Sequence, residues 1–94
     1  MIKWVFRYFR ERNEDKGIKE LEESYRGEIS RGRIPCALNL NHVLYQYVSD
    51  AYLRASGKRK TKLAEKLERL SKDGINLKWQ IGNLNRFQED RVDG

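Results

Sequence analysis

The chain has 94 residues, 38% hydrophobic and 36% charged, with a net charge of +6. That length fits a single domain, 1–94, with a modest core, and an aromatic content of 11% excludes a wholly disordered chain. One cysteine, Cys36, excludes an internal disulfide framework. No apolar run approaches the roughly 18 residues that span a bilayer, so a soluble, cytoplasmic protein is expected.

The first segment, IKWVFRYF (2–9), has two readings. As a strand it places Ile2, Trp4, Phe6 and Tyr8 on one face; as a helix it leaves Lys3, Arg7 and Arg10 as a narrow polar stripe. Its aromatic and β-branched content favours the strand. Residues 14–31 read as a helix, with Ile18, Leu21, Tyr25 and Ile29 on one stripe, Asp15 as its N-cap and Gly32 closing it.

RIPCALNLN (33–41) alternates, with Ile34, Cys36, Leu38 and Leu40 directed inward, and predicts a half-buried strand at a sheet edge because Pro35 lacks an N–H. Asn41 then caps a helix over 42–55, ended by Gly57, whose apolar face is Leu44, Tyr47, Val48, Ala51 and Ala55. Residues 58–73 form the clearest helix, with Leu63, Leu67 and Leu70 on one face and Gly74 in the place of a closing glycine. INLKWQI (75–81) alternates again, grouping Ile75, Leu77, Trp79 and Ile81, and Gly82-Asn83 is a hairpin dipeptide. A helix through 76–88 is the rival reading. Residues 89–94 are expected to fray.

The predicted architecture is therefore α+β, three helices with a small antiparallel sheet, with an all-α helical bundle as the alternative. From residue 14 the order helix, strand, helix, helix, strand, strand resembles that of winged-helix DNA-binding domains. The resemblance lies in element order and charge alone. It implies a recognition helix at 58–73 and a wing tip near Gly82-Asn83.

Charge is concentrated where that resemblance needs it. Residues 54–69 carry seven positive and two negative charges, a net +5. Such a segment attracts polyanions. The candidate nucleic-acid contacts are Arg54, Lys58, Arg59, Lys60, Lys62, Lys66 and Arg69, with Asn83 and Arg86 from the wing. The helix offers chiefly lysines, which bind phosphate with little base reading. Part of the charge has a local explanation, because Glu65 with Arg69 and Glu68 with Lys72 are helix-stabilising pairs at i, i+4.

Motifs for chemistry are missing. GKRKT lacks the glycines ahead of the lysine that a phosphate-binding loop requires. Cys36 and His42 are the only residues of their types, too few for a zinc site, and Cys36 is expected to be a buried, inert thiol. No enzyme activity, metal or cofactor is expected.

Two functions follow. The first is a small basic nucleic-acid-binding domain, more suited to DNA than RNA, acting as a regulator of transcription or replication. The alternative is a non-enzymatic protein-interaction or inhibitor module that meets a partner's acidic or nucleic-acid-binding surface through Trp4, Phe6, Tyr8, Phe9, Tyr45 and Tyr52. A third reading makes IKWVFRYFR an interfacial membrane anchor. These aromatics are instead expected in the core, so no membrane partner is expected; a homodimer is compatible with the composition.

Overall fold

The computed structural model describes the backbone of residues 2–93 and the side chains of residues 5–83. Three helices follow one another: α1 (Ile2–Ser30), α2 (Ile34–Arg54) and α3 (Gly57–Asp93). They pack as an up-down-up bundle 70 × 20 × 15 Å, with α2 between its two neighbours. Among the described residues there is no strand, so the α+β architecture, the winged-helix order and the wing are corrected to an all-α three-helix bundle.

Each misread segment has a physical reason to be helical. Residues 2–9 have no strand to pair with, and the Arg7 and Arg10 stripe finds partners at helical spacing: Arg7 lies 3.1 Å from Glu11 and Arg10 lies 3.8 Å from Glu14. Consequently α1 starts well before Asp15, which is an exposed mid-helix residue and not a cap. In 33–41, Pro35 occupies the first turn of α2, where the missing N–H leaves no bond unmade. Ala37 and Asn41 are buried while Ile34, Leu38 and Leu40 pack beside them. The i, i+4 pair Ile34 and Leu38 satisfies both a period of 2 and a period of 3.6, which is why this run imitates a strand. Cys36 falls on the outer face and is exposed, contrary to the expected buried thiol.

The stop after α1 is well built. Gly32 is left-handed at φ 72. Its N–H donates to Ile29 O at 3.0 Å and the Arg33 N–H donates to Glu28 O at 3.0 Å, the two bonds of a Schellman motif. Gly57, by contrast, opens α3 instead of closing α2.

Gly74 does not end α3. An added Cβ there would sit 2.9 Å from Asn41 Oδ1, so the glycine exists to let α2 approach. Asn41 is correspondingly a buried crosslink, not a cap. Its Nδ2 donates to the Leu70 carbonyl at 2.9 Å and to Tyr25 Oη at 3.4 Å, tying all three helices together. Burial raises the Tyr25 pKa above its ordinary value of 10.0; the Asn41 bond works against this and the Asp73 charge with it.

The core is two short clusters. Ile18, Leu44, Val48, Ala51, Ala55, Leu63 and Leu70 form one, with Leu21, Tyr52 and Leu67 against it; Tyr25, Ala37 and Leu77 form the other. Leu77 continues the Leu63 and Leu70 row at intervals of seven. That row turns Ile75 and Trp79 outward, separating them from Leu77 with which the alternation had grouped them.

Candidate interaction surfaces

The basic segment of α3 divides into two sets of side chains. Glu14 of α1 is buried, its side chain only 8% exposed, and arginines from all three helices surround it. Arg59 Nη2 donates to Glu14 Oε2 at 3.0 Å, and Arg59 Nη1 donates to Asp15 Oδ1 at 2.8 Å. Glu14 Oε1 accepts no hydrogen bond among the described residues; it faces Arg54 Nε at 3.3 Å and Arg10 Nε at 3.8 Å. Burial alone would lower the Arg59 pKa, but the bonds to Asp15 and Glu14 outweigh it and the guanidinium is held charged. Lower on α3, Lys66 Nζ donates to Glu22 Oε1 at 2.6 Å. These contacts join α1 to α3 across the furrow between them.

Three of the candidate nucleic-acid contacts, Arg54, Arg59 and Lys66, are thus engaged with α1 carboxylates. Lys60 Nζ lies over the Tyr52 ring, 4.9 Å from its centroid. Lys58, Lys62 and Arg69 are exposed, and among the described residues none has a carboxylate within ion-pair distance. They follow one flank of α3. Asn83 is exposed on the same helix, not on a hairpin tip. The side chains of Arg86 and Trp4 lie outside the described residues.

Of the candidate protein contacts, Phe6, Tyr8, Phe9 and Tyr45 are exposed. Tyr52 is half-buried, packed on the core beneath Lys60. Ile75 and Trp79, absent from the sequence-based site, are 59% and 67% exposed and adjacent at i, i+4. Their signal was present in the Leu63, Leu70 and Leu77 row, which already fills the inner face of a continuous helix.

Beside them runs a groove of about 260 Å³ between α2 and α3, walled by His42, Tyr45, Ile75 and Lys78 and floored by Asn41 and Gly74. A second hollow lies along Lys78, Trp79, Gly82 and Asn83. The linings mix Tyr45, Ile75 and Trp79 with polar groups such as His42, Gln46 and Lys78, a combination found at protein–protein contacts. Among the described residues no cluster of histidine, cysteine or carboxylates is arranged to hold a metal, and no helix is long and apolar enough to cross a membrane. Compared with protein-family models, curated proteins and solved structures, the chain matches none.

Proposed function

We propose that this protein is a non-enzymatic, cytoplasmic protein-interaction module whose main contact face is the α2–α3 side around Tyr45, Ile75 and Trp79. The observation that carries this reading is the exposure of Trp79 beside Ile75, next to a groove of mixed polar and apolar lining. In so small a core every apolar residue is valuable, and a tryptophan left in solvent is a typical interface anchor. The single thiol is exposed and free, which suits a reducing compartment.

The test is affinity capture with wild type and with Ile75→Ser/Trp79→Ser, whose side chains leave the core untouched. A protein recovered stoichiometrically by wild type and lost with the variant is expected. No stoichiometric protein, or equal recovery by both, contradicts the reading.

A second reading retains polyanion binding, because Lys58, Lys62 and Arg69 are solvent-facing on one flank. Three such contacts give a log–log salt slope of about −3. Fluorescence anisotropy with a labelled duplex is expected to show weak, salt-sensitive binding that Lys58→Ala/Lys62→Ala/Arg69→Ala abolishes. Equal binding by both proteins, or none by wild type, removes this reading.

A further inference from the structure

The start of α1 is amphipathic in the reverse sense for a bundle helix. Val5, Phe6, Tyr8 and Phe9 span an arc of about 160° at 100° per residue. Arg7 and Arg10 lie outside that arc and point back at the bundle: Arg7 Nη2 donates to Ser56 Oγ at 2.7 Å, and Arg10 pairs with Glu14. The polar side of this arm therefore faces the protein, and its apolar side faces away. Phe6, Tyr8 and Phe9 are 68%, 55% and 54% exposed. Tyr8 and Phe9 meet each other edge-on, with centroids 5.8 Å apart. The expectation that no membrane partner exists rested on these rings being core, and their exposure removes that ground.

The same end of the molecule is cationic. Residues 5–15 and 53–60, which form it, carry seven positive and three negative charges, a net +4. Arg12 lies one turn beyond Tyr8 on the same side of α1, and Leu53 stands exposed at the end of α2. Lys58 and Lys60 open α3 there.

The geometry points to this end as a docking surface for an anionic lipid bilayer, with the α1 arm lying in the headgroup region and the exposed Arg12, Lys58 and Lys60 meeting lipid phosphates and carboxylates. Exposed rings bordered by the solvent-facing cations Arg12, Lys58 and Lys60 combine apolar insertion with attraction to anionic headgroups, and the two add. A second copy of the chain fits less well. Among the described residues the four apolar side chains offer on the order of 400 Å², about half of the roughly 800 Å² per partner of a stable interface, and two net +4 ends would repel. A groove on a protein partner takes a narrow row of anchors, not an arc this wide.

Vesicle flotation tests this, using the whole protein with phosphatidylcholine alone and with phosphatidylcholine plus phosphatidylserine. Wild type is expected to float with the anionic vesicles, much less with the neutral ones, and less as salt rises. Phe6→Ser/Phe9→Ser is expected to weaken anionic binding about tenfold or more while circular dichroism stays unchanged. Ile75→Ser/Trp79→Ser, at the other end, is expected to float like wild type, which separates this surface from the protein-binding face. No flotation of wild type, or flotation indifferent to the loss of both rings, overturns the proposal. A concentration-dependent dimer in ultracentrifugation, abolished by Phe6→Ser/Phe9→Ser, would likewise overturn it in favour of self-association.

Discussion

Glu14→Ala is expected to cost the fold about 2–4 kcal/mol in urea unfolding. The carboxylate is buried and is the common partner of Arg10, Arg54 and Arg59, one from each helix. Removing it leaves Arg59, whose side chain is only 20% exposed, with Asp15 alone to compensate its charge, and Arg59 Nε already has no hydrogen-bond partner in the described structure. Breaking a buried pair costs more than the pair contributes, because the remaining charge is left desolvated. The half-exposed Arg10 and Arg54 can turn to water, so Arg10→Ala should cost much less. Glu14→Ala within 0.5 kcal/mol of wild type, a bound of about the size of an ordinary surface change, would show that the three arginines are not organised by this carboxylate.

Asn41→Ala is expected to cost about 2–3 kcal/mol, from the lost bonds to the Leu70 carbonyl and Tyr25 hydroxyl and from the void beside Gly74. The more searching variant is Gly74→Ala, because its sign should depend on Asn41. In wild type the new methyl meets Oδ1 at 2.9 Å and forces the amide off its carbonyl partner, a net loss despite the better helix propensity of alanine. In the Asn41→Ala background that obstacle is gone. There Gly74→Ala should stabilise by about 1 kcal/mol through propensity alone. A double-mutant cycle checks this, and additive effects of the two substitutions would contradict the contact.

How much of this was visible in the sequence differs by element. The inner faces of all three helices were legible where the apolar spacing extends over several turns: Ile18, Leu21 and Tyr25 in α1, Leu44, Val48, Ala51 and Ala55 in α2, and Leu63, Leu67 and Leu70 in α3. The stop at Gly32 was legible as well. The three alternating segments read as strands, 2–9, 33–41 and 75–81, failed for a common reason. Over seven to nine residues, i and i+4 belong to both periodicities, and only contact with the rest of the molecule separates them. Pro35 was read as a strand edge although it is equally at home in a first helical turn. Gly74 and Gly82 were read as breaks; one serves close packing, and the other lies within α3 with open space about it.

The candidate sites were legible in type but not in pairing. The basic segment is plain, but its partners Glu14, Asp15 and Glu22 are forty or more residues away in sequence. Nothing local distinguishes Arg59, held between two carboxylates, from Lys58 or Lys62, which face water. The aromatics of residues 6–9 were recognised as an anchor set, yet economy of core residues argued that they should be buried. The bundle does not extend far enough to cover them, so an outward apolar face survives at each end.

The proposed contact face at Ile75 and Trp79 stands in solvent, so the fold should not depend on it. Urea unfolding of Ile75→Ser/Trp79→Ser checks this. A stability within about 0.5 kcal/mol of wild type with an unchanged m-value is expected, as for a solvent-facing substitution. A loss of about 2 kcal/mol or more, the scale of removing core side chains, would mean that these residues belong to the core and that the proposed contact face does not exist.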